Sequence, residues 1–114
     1  GSEMCIRDSS YIVQVLDNLL GNASKFTHVG SVTLTYEVKK EDNQLIFTVT
    51  DTGIGIPVEE QERVFERFVK LDNFSQGAGL GLSICRIVAE RLGGYLRIDK
   101  GYTQGTRVIF CVSM

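Results

Sequence analysis

The interval at which apolar residues recur changes along this chain, and that change limits the fold more than any single residue does. From Ser10 to about Phe26 the interval is three or four. At about 100° per residue, Ile12, Leu16, Leu19, Leu20 and Ala23 share one face, while Gln14, Asp17, Gly21 and Ser24 lie opposite. A helix is predicted there. In SVTLTYEV the interval falls to two: Val32, Leu34, Tyr36 and Val38 point one way and Thr33, Thr35 and Glu37 the other, as in a strand. The EDN stretch at 41–43 then supplies a turn and QLIFTVTD a second strand, making an antiparallel hairpin.

Beyond the hairpin the helical interval returns. Pro57 suits a helix start, and VEEQERVFERF follows with an acidic first turn, Val64, Phe65 and Phe68 facing inward. The stretch VKLDNFSQGAG, residues 69–79, is irregular and ends in glycine, as a loop does. LGLSICRIVAERL is helical, with Leu80, Ile84, Ile87, Val88 and Leu92 on one face, and Gly93-Gly94 stop it. YLRID and TRVIFCV are strands joined by KGYTQG. The order α-β-β-α-loop-α-β-β predicts an α+β fold: a two-layer α/β sandwich with helices over one face of a mixed, mostly antiparallel sheet.

At 114 residues the chain is one domain with a single core. A formal net charge of −2 gives no electrostatic footing for nucleic acid or an acidic membrane as partner. A negatively charged ligand would have to be met locally, by glycine loops, helix ends, a metal or single cations. No apolar run approaches the ~20 residues needed to span a bilayer. Cys5, Cys85 and Cys111 are odd in number and lack CxxC spacing, which favours a reduced compartment without disulfide or cysteine-bound metal. The opening fits poorly with the rest: Gly1-Ser2 resembles a cloning scar and EMCIRDS the translation of a sequencing-adapter end. Residues 1–9 are therefore set aside as a leader, and 10–114 are taken as the domain.

Three features remain. Asn18, Asn22 and Lys25 form a polar stripe along the border of the first helix, which suits either a helix edge or the wall of a site. DTGIGIP closes a strand, and GAGLGL opens a helix, where unpaired N–H groups can meet an anion. Neither cluster is a Walker loop, since no Lys-Ser/Thr follows the glycines, and neither sits between a first strand and its helix as a dinucleotide fingerprint would.

Taken together, NLLGNASKF, DTGIGIP, ERVFERF, GAGLGLSI and GTRV stand in the order and spacing of the GHKL (Bergerat-fold) ATP-binding domains. They most closely resemble the catalytic, ATP-binding domain of bacterial sensor histidine kinases, over roughly residues 10–114. The resemblance implies a cofactor pair of ATP and Mg²⁺. It implies that Asn22 holds the metal through its side-chain carbonyl and that Lys25 faces phosphate. Asn18 stands where GHKL ATPases carry a water-activating glutamate; an amide accepts no proton, which disfavours hydrolysis and fits transfer to a protein acceptor. Phe26 lies against the base or simply in the core. Asp51 accepts from the adenine amine, with Gly53 and Gly55 passing beside the base and Ile56 walling it. Gly77, Leu80 and their neighbours Gly79 and Gly81 bring backbone amides around the triphosphate, under a lid at about 69–79 from which Lys70 reaches phosphate. Thr106 belongs to the last box, near the adenine. Phe65 and Phe68 anchor the lid hinge by burial.

His28, the only histidine, lacks an acidic neighbour of the phosphoacceptor kind and is read as a loop residue. No residue of this chain is then catalytic in the sense of receiving the phosphoryl group. The implied acceptor is a histidine on a dimerisation/phosphotransfer domain of the same parent protein, and the next acceptor a response-regulator receiver domain. The fragment alone is expected to be a monomer in the cytoplasm without direct membrane contact, whether or not its parent is anchored in the inner membrane. A GHKL ATPase, an anti-sigma serine kinase, or a degenerate domain serving as a docking surface are the alternatives.

Overall fold

The computed structural model describes residues 6–25, 27, 29–56, 58–61 and 82–114. Helix α1 (Ile6–Lys25) leads, followed by strands β1 (Val32–Lys39) and β2 (Gln44–Asp51). Next come a short helix α2 (Val58–Gln61), helix α3 (Leu82–Arg91), and strands β3 (Tyr95–Ile98) and β4 (Thr106–Ser113). Among the described residues the sheet has four strands in the order β1-β2-β4-β3, every neighbouring pair antiparallel. Helix α1 packs on β2 and β1, and α3 on β3 and β4. This is the two-layer α+β sandwich expected, with its described part antiparallel throughout.

Local chemistry accounts for the joints. A single 3₁₀ turn, Lys40–Asp42, links β1 to β2, and Asn43 follows in the left-handed region at φ 57°, which asparagine tolerates. Helix α3 ends where Gly94 N–H reaches the Ala89 carbonyl at 3.0 Å and Gly93 N–H the Glu90 carbonyl at 3.1 Å. That crossed pair is a Schellman stop and needs the positive φ of Gly93, 82°.

The core lies between sheet and helices. It is built from Ile12, Val15, Leu19 and Ala23 of α1, Cys85 and Ala89 of α3, and Val49, Leu96, Ile98, Val108, Phe110 and Val112 of the strands. Helix α1 begins at Ile6, four residues ahead of its expected start. Val15, fully buried, completes its apolar face at i+3 from Ile12. The inward face of α3 corrects the expectation. Ile84 and Ile87 stand 42% and 49% exposed, while the small Cys85 and Ala89 are fully buried. Two short side chains one turn apart let the helix axis approach the sheet more closely than isoleucines would, and Val88 and Leu92 pack at the flank of the contact. The expected inward positions of Val64, Phe65, Phe68 and Leu80 lie outside the described residues.

Candidate functional site

The two central strands, β2 and β4, pair along their whole length and finish at one end with Asp51 opposite Thr106. Asp51 shares the helix-side face of β2 with the core residue Val49 and is itself buried, 7% exposed. Its Oδ1 accepts the N–H of Gly53 at 2.9 Å and the N–H of Thr106 at 3.2 Å. The first bond makes the turn that aspartate before Thr-Gly favours; the second ties that turn to β4. Both donors converge on one oxygen, and Oδ2 has no hydrogen-bond partner among the described residues. The turn thus engages only one of the two oxygens of the carboxylate.

One glycine of DTGIGIP answers to its backbone and its neighbour. Gly55 has φ 75°, and a Cβ there would sit 3.1 Å from the carbonyl oxygen of Gly105. Gly105, at φ 151°, touches Asp51 closely: a Cβ would come within 2.1 Å of the Asp51 carbonyl oxygen. Two turns therefore press backbone to backbone beside the carboxylate. Ile56 packs against the core cluster, so the expected wall residue also belongs to the core. Its carbonyl accepts Gln61 Nε2 at 3.1 Å.

The exit of α1 reaches the same end of the sheet. Ser31 N–H donates to Thr52 Oγ1 at 2.9 Å, and Thr52 N–H returns to the Ser31 carbonyl at 3.1 Å. The residue after Asp51 is thereby fastened to the loop leaving α1. On the helix, Asn22 Nδ2 donates to Asn18 Oδ1 at 3.2 Å. Asn18 is buried and Asn22 half-buried. With its nitrogen engaged, Asn22 offers its carbonyl oxygen, a hard donor with no hydrogen-bond partner among the described residues, which suits Mg²⁺. Among the described residues no three His, Cys, Asp or Glu side chains gather to hold a metal.

Of the expected site residues, the structure brings Asp51, Gly53, Gly55, Ile56 and Thr106 to one end of the sheet and pairs Asn18 with Asn22 on α1. Lys25 is the last residue of α1. Phe26, His28, Lys70, Gly77, Gly79, Leu80 and Gly81 lie outside the described residues, as does the lid. A cavity of about 420 Å³ is lined by Gln61, Arg97, Ile98, Asp99, Lys100 and Gly101, none of them an expected site residue.

Sequence reasoning assigns no role to Gly105, Tyr102 or Arg107, which stand against Asp51 or its strand neighbour Thr50. Buried Gln61, whose Oε1 has no partner among the described residues, likewise reads as one more polar residue of a helix. Tyr102 and Arg107 sit in a turn and a strand with no periodic signal, yet the Tyr102 hydroxyl donates to the Asp51 carbonyl at 3.2 Å. The thiols are structural: burial pushes Cys85 up to about 11. It raises Cys111 as well, against the opposing pull of a Tyr95 hydrogen bond and the Lys39 charge.

A buried carboxylate at the end of a central strand, flanked by glycine turns, in a fold whose first helix carries a paired asparagine, defines a class of ATP-binding domain. The description of that class, histidine kinase-, DNA gyrase B- and HSP90-like ATPase, matches residues 7–114, and the chain belongs to this family. Within the family its relatives are sensor kinases. WalK of Bacillus subtilis is 38% identical over 108 residues, taking in 90% of this chain and 18% of WalK. CikA, the circadian input-output histidine kinase of Synechococcus elongatus, is 40% identical over 103 residues, 87% of this chain and 14% of CikA. The chain thus spans a minor part of these relatives' length. Among solved structures, a nucleotide-free catalytic domain of the histidine kinase ThkA superposes with a TM-score of 0.78 at 34% identity, over 91% of this chain and 66% of that one. Full-length ShkA in complex with AMPPNP gives 0.76 at 35%, over 90% of this chain and 21% of that one. The fold is that of a histidine kinase catalytic domain.

Proposed function

We propose that this domain binds Mg-ATP at the Asp51 end of its sheet and presents the γ-phosphate to a histidine on a dimerisation domain of its parent, from which it passes to a response-regulator aspartate. The observation that carries the reading is the carboxylate of Asp51: Oδ1 held by two backbone amides, Oδ2 without a partner among the described residues. An open acceptor fits the adenine amine and rejects guanine, which places an acceptor at the corresponding position. Gly53 and Gly55 let the backbone run beside the base, and Thr106 closes the same end. Asn22 would hold Mg²⁺ through Oδ1; the ion, when bound, neutralises phosphate charge. Asn18 orients Asn22 through the 3.2 Å bond and, being an amide, activates no water. Lys25 adds a point charge near phosphate, and Lys70 and the 77–81 glycines close the triphosphate from the lid. What the domain contributes is positioning and charge neutralisation, since phosphoryl transfer asks for little covalent chemistry from protein. It works in the cytoplasm. Among the described residues no helix is long and apolar enough to cross a membrane.

A fluorescent ATP analogue, titrated with and without Mg²⁺ into the wild type and Asp51→Ala, tests the reading. Wild type binds, more tightly with Mg²⁺, and Asp51→Ala weakens binding at least about tenfold. Absence of binding by a folded wild type would leave only a docking role. Adding a relative's dimerisation domain with its histidine, in the presence of γ-labelled ATP, then tests transfer.

A further inference from the structure

We propose that Tyr102 and Arg107 are positioning residues for adenine discrimination, acting on Asp51 from the face of the sheet away from the nucleotide; this rests on the reading of Asp51 given above. Side chains alternate along β2, so Asp51 lies on the helix side with Val49 while Thr50 lies on the outer side. Arg107 pairs directly with Thr50 across the ladder, and Thr106 with Asp51, so Arg107 too is on the outer side. There its Nε donates to Thr50 Oγ1 at 3.2 Å, and its guanidinium carbon stands 4.3 Å from the centre of the Tyr102 ring. A third contact, 3.5 Å to Asp99 Oδ2, is long and about one-third exposed at both ends, so it steers the guanidinium rather than binding strongly. The ring so capped turns its hydroxyl onto the Asp51 carbonyl, 3.2 Å away.

The consequence is geometric. The carbonyl held by Tyr102 and the carboxylate offered to adenine belong to one residue, joined through a single Cα. Fixing the peptide plane on the outer face fixes the direction in which Cβ leaves on the inner face. The two amides on Oδ1 then set the rotation of the carboxylate. Without the outer bond Oδ2 still exists but its aim widens, and a directional hydrogen bond to an amine weakens as it bends. A contact that requires no direction, such as stacking of the purine, is unaffected.

That difference gives the test. Binding of ATP and of purine riboside triphosphate, which lacks the 6-amino group, is measured for wild type, Tyr102→Phe, Arg107→Met, Arg107→Lys, Asp51→Ala and Asp51→Ala/Tyr102→Phe, with thermal unfolding as the check of folding. Wild type prefers ATP. Tyr102→Phe and Arg107→Met reduce that preference about three- to tenfold by weakening ATP alone, and Arg107→Lys, which keeps a cation near the ring, restores part of it. On the Asp51→Ala background Tyr102→Phe changes nothing further. Equal weakening of both nucleotides, or no weakening of ATP in either folded variant while Asp51→Ala abolishes the preference, overturns the positioning role alone. A wild type indifferent to the amine overturns the adenine reading and this inference with it.

Discussion

At Asp51 the sequence alone leaves two tasks in competition: forming the turn and, in the function proposed above, receiving a ligand. The structure commits only Oδ1 to the turn, and close packing makes Gly105 more consequential than its place in a hairpin loop suggests. A Cβ at Gly105 would meet the Asp51 carbonyl at 2.1 Å, backbone against backbone, at a φ of 151° that L side chains rarely adopt. Gly105→Ala is expected to destabilise by about 2–4 kcal/mol and to weaken ATP binding beyond what the lost stability explains. Urea denaturation and nucleotide titration measure the two effects. Gly21→Ala is the contrast: within α1, with nothing inside 4 Å of the added methyl, it should stabilise by about 0.5–1 kcal/mol. The thiols carry a pH prediction. Folded Cys85 titrates near 11 rather than the ordinary 9.0 because burial disfavours the thiolate. Between those values the unfolded chain has released the proton and the folded chain has not, so the folded state binds more protons and stability falls as pH rises. The loss should reach about 1.4 kcal/mol per unit of separation, be absent below pH 8, and shrink in Cys85→Ala to the part that raised Cys111 contributes when unfolding is followed from pH 8 to 11.

At the level of elements, legibility followed periodicity. Both hairpins, the first helix and the glycine stop of α3 could be read because each rests on local chemistry: alternation, a turn asparagine, a Gly-Gly pair. What escaped was decided by neighbours. Nothing in LSICRIVAER says that Cys85 and Ala89, not Ile84 and Ile87, touch the sheet; the choice depends on how closely the helix approaches. Nor does SVTLTYEV show that its apolar row lies on an outer strand, where Tyr36 stays 72% exposed. Asp51 and Thr106 were legible as members of boxes, whereas Tyr102 lies in none and Arg107, though within GTRV, showed no role there, since the partners of both stand on another strand or across a turn. The position of β1 yields a paired prediction. Tyr36 and Phe47 face each other across β1 and β2, and Phe47 stacks on buried Phe110 with ring centres 5.7 Å apart. Phe47→Ala should cost about 3 kcal/mol, whereas Tyr36→Ala should cost less than about 1 kcal/mol. Denaturant midpoints with unchanged slopes would establish the difference, and equal costs would mean that the outer strand is covered.

At the scale of the molecule, the sheet order matters more than any strand. Because β2 and β4 are central, Asp51 and Thr106 meet at the sheet's midline, and the exit of α1, fastened at Thr52, returns the helix bearing Asn22 to that end. A ligand seated there touches elements far apart in sequence, so its binding should be felt by the whole cooperative unit. A ligand that binds only the folded chain stabilises by RT ln(1 + [L]/Kd), about 2.7 kcal/mol at a hundredfold excess over Kd. For a domain near this size each kcal/mol moves the unfolding midpoint by about 4–8 °C. Mg-ATP at that excess should therefore raise Tm by at least about 10 °C, and GTP at the same concentration should leave it nearly unchanged. If Asn22 helps to hold the metal, chelation with EDTA lowers the ATP-induced rise in wild type, whereas in Asn22→Ala the rise is already small and indifferent to EDTA. A wild-type rise insensitive to EDTA would remove Asn22 from the metal while leaving Asp51 its adenine. A rise that Asn22→Ala and Asp51→Ala both leave intact would place the nucleotide elsewhere on the protein.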